Sequence, residues 1–348
     1  MSAFTVELRR IARIDPHPNA DRLEVARLEG LAWEFVVPKG GFQPGDPVLY
    51  FPIDSVLPPD LADRLGVRNY LVGKEKTRVK TARLRGFPSQ GLVVRPAQVR
   101  ADWTPDPGVD YAVELGVVKY EPPPIPCHAG DLVPLPAGLS VYDIEGADNF
   151  PHLVEVLLDL EVCVTEKLEG SNWSATRTRE GAVFVSQRNH SIRPTEGAEH
   201  DFWRVGREQG LLDLLAHVAA ERPGRDVTLR GEYLGPGVQK NIYRLPKNLI
   251  ALFDVEVDRR ALPFREFEEI VGAAKAVVVP VLFVGRFRDW LGVRTVREAS
   301  NGESVFPKAD GVAREGIVVK PLVERTHEEL GRLILKQRSP EYLAGSEF

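Results

Sequence analysis

The run Glu121-Pro122-Pro123-Pro124-Ile125-Pro126 does most to limit what this chain can fold into. Prolines lack the backbone N–H that a sheet ladder or helix interior needs, and a cluster of them favours an extended, stiff spacer. The expected organisation is therefore a first domain over residues 1–120, a proline-rich linker over 121–140 and a second domain over 141–348. Two domains suit 348 residues, because single domains mostly hold about 50 to 250.

Before the spacer, short apolar runs alternate with Gly and Pro turns: Glu34-Phe35-Val36-Val37, Val48-Leu49-Tyr50-Phe51 and Gly91-Leu92-Val93-Val94. That spacing predicts a small β-barrel. The segment from Ile14 through Asp15-Pro16-His17-Pro18-Asn19-Ala20-Asp21-Arg22 to Val25, with Pro44-Gly45-Asp46 after it, resembles the tRNA-binding type of oligonucleotide-binding (OB) fold. His17 reads as a turn residue bonded within its own loop, rather than as a catalytic or metal-binding group.

Between Arg68 and Arg85, the cations Arg68, Lys74, Lys76, Arg78, Lys80, Arg83 and Arg85 meet one acid, Glu75, in a chain whose net charge is -5. A phosphate-facing surface is one reading. Lys76, Arg78 and Lys80 share a parity and, on a strand, would leave one face. They would then grip nucleic-acid backbone without reading sequence. A charged edge strand that discourages aggregation is the alternative.

After the spacer the stretch Val162-Cys163-Val164-Thr165-Glu166-Lys167-Leu168-Glu169-Gly170-Ser171-Asn172 predicts a half-buried strand that delivers Lys167 to a turn. An amine presented at a strand end is a candidate nucleophile, although lysines beside acids and turn glycines are common on surfaces. A hairpin follows, Trp173–Arg177 with Ala182–Val185, then a helical pattern from Phe202 to about Arg222. Further strands are expected at Val227–Tyr233, Leu249–Val255, Arg314–Lys320 and Leu333–Arg338. Strands and helices interleave without a regular βαβ rhythm, which predicts an α+β domain of antiparallel sheets with flanking helices.

Taken in order, Lys167-Leu168-Glu169-Gly170, Arg188, Gly231-Glu232, Phe253-Asp254-Val255, Glu315-Gly316-Ile317-Val318-Val319-Lys320 and Lys336-Gln337-Arg338 resemble the motif series of the covalent nucleotidyltransferases. That superfamily contains polynucleotide ligases and capping enzymes. DNA ligases and capping enzymes carry an OB domain after the last motif. Here only Ser339 to Phe348 follow Arg338, which favours the RNA ligases. Ser171-Asn172 and Gln239-Lys240-Asn241 to Tyr243 are also similar to that branch. An OB domain ahead of the core resembles the Deinococcus-type nick-sealing group. Two positions depart from the pattern: many RNA ligases have His at Glu169, and Lys at Arg338.

The resemblance implies ATP-dependent sealing of a 3′-OH/5′-phosphate nick through lysyl-AMP and an AMP-capped 5′ end, with a ribonucleotide at the 3′-OH, in RNA repair. Its catalytic residues would be Lys167, Lys320 and Lys336. The nucleotide would meet Glu166, Leu168, Glu169, Asn172, Arg188, Glu232, Phe253, Lys320, Lys336 and Arg338. Glu315 and Asn172 would serve a divalent metal, Mg²⁺ or Mn²⁺ given their oxygen donors. Lys74, Lys76, Arg78, Lys80, Arg83 and Arg85 would face nucleic acid, the partner being a nicked RNA duplex or RNA/DNA hybrid bound by a monomer. Without that resemblance, Phe253 reads as a core aromatic, and Glu232 and Glu315 as ion-pairing acids at strand ends. Cations lower a lysine's hold on its proton and acids raise it, so Glu166 and Glu169 oppose activation of Lys167, and metal and bound triphosphate are expected to shift the balance.

Two other classes fit parts of the sequence. One is a nucleic-acid-binding protein with an inactive nucleotidyltransferase core, and the other is a capping-type guanylyltransferase. Intact Lys167, Glu232, Glu315, Lys320 and Lys336 oppose the first, and the short segment after Arg338 opposes the second. The two cysteines, Cys127 and Cys163, offer no disulfide framework, and Cys163 reads as a buried inert thiol. The start, Met1-Ser2-Ala3-Phe4-Thr5-Val6-Glu7, lacks a signal-peptide pattern, and no window approaches the ~20 apolar residues of a membrane span. A cytoplasmic protein is expected.

Overall fold

The computed structural model describes residues 4–121, 132–194, 199–307, 309 and 311–345. Of the proline spacer only Glu121 falls among them; the prolines and Cys127 lie outside the described residues. Two units form, Met1–Pro122 with Ala147–Val154, and Pro123–Gly146 with Glu155–Phe348. No helix among the described residues is long and apolar enough to cross a membrane.

The first unit is built on a five-stranded sheet in the order Glu34–Pro38, Leu23–Leu28, Glu7–Pro16, Pro47–Phe51, Leu92–Val94. The hairpin Thr81–Leu84/Phe87–Gln90 covers the Glu34–Pro38 edge, where the Val36 and Glu34 N–H groups donate to Ser89 Oγ at 3.0 Å and Gln90 Oε1 at 3.3 Å. The chain then joins the opposite edge at Leu92, so residues 87–94 nearly close the barrel. Val48 and Tyr50 pack with Ile11, Phe35 and Val37 on one face, and Leu49 and Phe51 pack with Leu57 and Leu61 on the other. Strand Pro47–Phe51 is consequently buried on both sides. Ala147–Val154 clusters with this unit: the Ala32 N–H donates to Asp148 O at 2.9 Å, and the Trp33 indole N–H to Asn149 Oδ1.

The second unit has two principal sheets. Seven strands run in the order Leu132–Pro134, His190–Ile192, Val183–Ser186, Ser171–Arg177, Val227–Leu234, Leu249–Val257, Arg260–Ala261. Five run in the order Glu145–Gly146, Leu335–Arg338, Gly316–Pro321, Glu161–Lys167, Val281–Arg286. The α+β class and an OB-type barrel ahead of a sheet-rich domain are both present.

Two local expectations need correction. The helical pattern after Phe202 forms two helices, Asp201–Glu208 and Leu211–Ala220, because Gly210 turns left-handed at φ 71° between them. Phe202, Trp203, Leu211 and Leu215 still share one core with Trp173 of the neighbouring sheet. Strand Glu161–Lys167 is not half-buried: Val162 through Glu166 are all buried, since strands flank it on both sides.

Candidate active site

Lys167 ends the Glu161–Lys167 strand in register with Gly316 of the neighbouring strand, and Gly316 in turn faces Arg338. This pairing brings three separate motifs to one strand end. The Lys167 ammonium meets Glu315 at 2.6 Å, and Arg338 Nε stands 3.8 Å from the other Glu315 oxygen. The chain then turns through Gly170, where a Cβ would lie 2.6 Å from Tyr233 O and 2.7 Å from Glu232 Cγ. Only glycine allows the turn to lie so close to the Val227–Leu234 strand.

Beside this strand end a cavity of about 150 Å³ opens in the second unit, reached by Lys167, Asn172, Arg188, Glu232, Phe253, Lys320 and Lys336. Asn172 and Glu232 face each other across paired strands, and Asn172 Oδ1 is buried without a hydrogen-bond partner. Burial pushes the Glu232 carboxyl up to about 8, with Lys167 opposing and Glu315 adding. Burial likewise lowers the Lys336 ammonium to about 8, against the pull of Asp143 and Glu145 and with help from Lys167 and Arg338.

At the cavity floor Asp254, 1% exposed, binds the Lys320 ammonium, Arg332 at 2.7 Å and the Tyr142 hydroxyl. Burial opposes its charge, but Arg332 and Lys320 hold the carboxyl well below the usual range. The Tyr142 ring lies against that of Phe253, centroids 5.0 Å apart. An amine, several cations, an acid and an aromatic wall together suit a nucleotide and chemistry at its phosphate.

A family model described as RNA ligase matches residues 160–338, just over half of the chain. This chain belongs to the RNA ligase family. An OB-fold domain model matches residues 5–96 of the ligase. Among solved structures it is similar to Naegleria gruberi RNA ligase in an apo mutant form, at 26% identity and TM-score 0.79, covering 99% of this chain and 98% of that one. A mutant of the same protein with ATP and Mn gives 26% identity, TM-score 0.80 and coverage of 99% and 98%. Another with AMP and Mn gives 26%, 0.81 and coverage of 97% and 98%. A search of curated proteins found no match.

The residues singled out from the sequence of the ligase do not all reach the cavity in the expected way. Glu166 and Leu168 reach its wall. Glu166 is 1% exposed, accepts from the Val305 N–H at 2.9 Å, and its carboxyl is pushed up by burial. Glu169 turns elsewhere: its carboxylate accepts from the Tyr342 hydroxyl and the Lys240 N–H, while its own N–H donates to the Tyr243 hydroxyl at 2.8 Å. It fastens the turn rather than lining the cavity. Lys320 reaches the cavity floor with its ammonium bound to Asp254 and to Phe253 O at 2.9 Å, so it offers no uncommitted charge to a phosphate. Arg188 pairs with Asp143 at 2.6 Å. The thiol of Cys163 is buried and pushed up to about 12 by that burial.

Sequence reasoning misses Tyr142, Asp143, Arg332 and Tyr342. Tyr142 and Asp143 lie at the expected start of the second domain, and they, Arg332 and Tyr342 fall outside the motif series. Their one sequence signal is proximity to a motif or domain start.

On the first unit, Lys74 and Lys76 occupy a turn, with Lys76 left-handed at φ 50°. No regular strand carries Lys76, Arg78 and Lys80, although buried Thr77 and Val79 alternate with them. Arg78 is committed to Asp54 at 2.7 Å and lies 3.4 Å over the Tyr120 ring. Lys74, Lys76, Lys80, Arg83 and Arg85 are exposed. His17 Nδ1 accepts from the Asn19 N–H at 3.0 Å, which leaves Nε2–H to donate to Leu84 O at 3.1 Å. It joins its loop to the hairpin.

Proposed function

We propose that this ligase seals 3′-OH/5′-phosphate nicks in duplex nucleic acid at the expense of ATP, through lysyl-AMP and an AMP-capped 5′ end. The nick-sealing, Deinococcus-type reading rests on the OB-type barrel ahead of the core. The observation that carries the chemistry is Lys167, an amine at the edge of a cavity that Arg188 and Lys336 also line, with the Phe253–Tyr142 wall beside it and Arg338 on the far side of its partner Glu315. The Naegleria structures with ATP or AMP and Mn support the choice of nucleotide and metal.

In the first step Lys167 Nζ loses its proton and attacks the α-phosphorus of ATP; an N–P bond forms, the bond to the bridging oxygen breaks, and pyrophosphate leaves. A 5′-phosphate oxygen next attacks that phosphorus and displaces the lysine. The 3′-OH finally attacks the 5′-phosphate, loses its proton, and AMP departs. The protein's part is placement and charge relief. The Lys167–Glu315 pair must open before the first attack. Lys336, on the cavity wall, would offset the growing negative charge with Arg338 behind Glu315 adding to it, and Glu232, largely neutral at pH 7, can donate to a ribose hydroxyl. Phe253 and Tyr142 offer a flat apolar surface to a purine.

A divalent ion fits this donor set. The unpartnered Asn172 Oδ1 and the Glu315 carboxylate are hard oxygen donors, while among the described residues no group of three His, Cys, Asp or Glu could hold a metal alone. Phosphate oxygens and water would complete the shell, as Mg²⁺ and Mn²⁺ allow, and the ion would supply neutralisation of phosphate charge.

The test is incubation with α-labelled ATP and metal, then with nicked duplexes ending in a 3′-ribonucleotide or 3′-deoxynucleotide. An acid-labile, base-stable adduct lost in Lys167→Ala, and sealing of the ribonucleotide nick, are expected. Absence of the adduct refutes the reading.

A further inference from the structure

The cations at the cavity each face a carboxylate of the protein, and those carboxylates differ in how firmly they are held. Asp254 is buried, with Lys320, Arg332 and Tyr142 all bound to it. Asp143 is 25% exposed at its side chain. It makes a 2.6 Å bond to Arg188, accepts from the Ile144 N–H at 3.1 Å, and lies 3.9 Å from the Lys336 ammonium. Arg188 is incompletely used, since its Nε is buried without a hydrogen-bond partner.

The backbone holds Asp143 at this position from both sides. On one side Arg230 grips Ser140 through its carbonyl at 3.1 Å and its hydroxyl at 2.7 Å, and Tyr142 is tied to Phe253 and Asp254. On the other, Glu145–Gly146 pairs in parallel with Leu335–Lys336. Two cations thus converge on one carboxylate while a buried guanidinium donor is left over. A phosphate carries more charge and more acceptor oxygens than a carboxylate, and can satisfy both donors of an arginine fork at once.

We propose that Asp143 is an exchangeable counter-ion, occupying in the empty ligase an anion position between Arg188 and Lys336 from which a phosphate group displaces it. This rests on the nucleotide reading above. The carboxylate sets a threshold: it neutralises both cations when no substrate is bound, and only a strongly charged group takes its place.

Asp143→Asn in the full chain tests this by calorimetric titration with pyrophosphate and with metal-free ATP, and by binding of 5′-phosphorylated against 5′-hydroxyl nicked duplex. A partly exposed ion pair is worth up to about 1 kcal/mol, so removing the competitor should tighten phosphate binding by roughly three- to fivefold. The gain should vanish when Arg188→Ala is added. A gain for pyrophosphate and ATP assigns the position to the nucleotide, and a gain confined to the 5′-phosphorylated nick assigns it to the nucleic-acid end. Unchanged or weaker binding of every phosphate ligand, in a variant that melts like the parent, overturns the proposal. Asp143→Ser, judged by the same criterion, serves if Asp143→Asn does not fold. If the parent binds ATP normally and neither variant gains, the counter-ion idea alone fails; if the parent binds neither ATP nor pyrophosphate, the nucleotide reading falls and takes the proposal with it.

Discussion

Lys167 and Glu315 form an ion pair, 2.6 Å from Nζ to Oε2, at the ends of two adjacent antiparallel strands. The amine is therefore held in place and held back by the same contact. Lys167→Ala should abolish the labelled adduct. It should also cost about 1–3 kcal/mol of stability, because the Glu315 carboxylate left behind is only 10% exposed and keeps only Arg338, 3.8 Å away, near it. Adduct assays beside thermal melts check both, and surviving adduct would mean a different amine is adenylylated.

Gly170 tests how closely the turn must approach the Glu232 strand. An added Cβ would meet Tyr233 O and the Leu234 side chain, each at 2.6 Å. A side chain can rotate away, but a backbone carbonyl in a paired strand cannot. Gly170→Ala should cost about 1–3 kcal/mol of stability, as overpacking does, and about a hundredfold in adduct formation, because misplacing a reacting group by about 1 Å has that effect. Wild-type single-turnover rates for the variant would refute this.

These two residues also show how far the sequence can be read. The resemblance in motif order singles out Lys167, Glu232, Phe253, Glu315 and Lys336, and the fold gathers four of them at one cavity with Glu315 paired to Lys167; the α+β fold is legible from strand and helix patterning. Charge pairing is not legible, because it is a tertiary property. Tyr142 stands 112 positions from Asp254, its hydrogen-bond partner, and Asp143 meets Arg188, from a loop of the seven-stranded sheet, and Lys336, from the five-stranded sheet, only once both sheets have assembled. Local backbone geometry hides other features. The apolar pattern Leu211, Leu214, Leu215 continues the preceding helix in periodicity, yet Gly210 breaks it. The parity of Lys76, Arg78 and Lys80 gives no sign that Asp54 and Tyr120 claim the middle one.

The Glu232 carboxyl gives stability a pH dependence whose direction follows from proton binding. Its folded value is about 8, against about 4.3 for an exposed glutamate. Between these values the folded state holds a proton that the unfolded state has released, so stability falls as pH rises through the window. The contribution is fully present below about pH 4.3 and gone above about pH 8. Glu232→Gln should flatten that part of the curve. Denaturant unfolding across pH 5–8.5 checks it, and equal slopes for parent and variant would refute it.

On the barrel, exposure separates two kinds of cation. Arg78 is held by Asp54 and stacked on Tyr120, so Arg78→Ala should lower stability of the first unit with little effect on the salt dependence of binding. Lys80, Arg83 and Arg85 are exposed. Replacing one of them should weaken duplex binding across all sequences and reduce the salt slope by about 0.9 if it contacts a phosphate. Titrations of nicked duplex at several salt concentrations distinguish the cases. A slope that changes for Arg78→Ala and not for the others would reverse the assignment.

Asp254 gives the largest expected stability effect. Its carboxylate is buried against Lys320 and Arg332, and the Lys320 side chain is itself only 5% exposed. Removing it would leave a buried ammonium and a largely enclosed guanidinium without their common partner. Breaking a buried pair from one side costs about 3–5 kcal/mol, and Asp254→Ala should fall in that range. Asp254→Asn keeps the shape and one acceptor for Tyr142, so it should cost less while still loosening Lys320 at the cavity floor. Two consequences separate this from a simple packing defect. Nucleotide affinity should fall with the loss of the Tyr142–Phe253 wall, and replacing Lys320 by Met in the Asp254→Ala background should recover part of the stability by removing the stranded charge. Chemical denaturation of the two single variants and the double variant measures this. Additive losses would show that the carboxylate and the ammonium do not depend on each other.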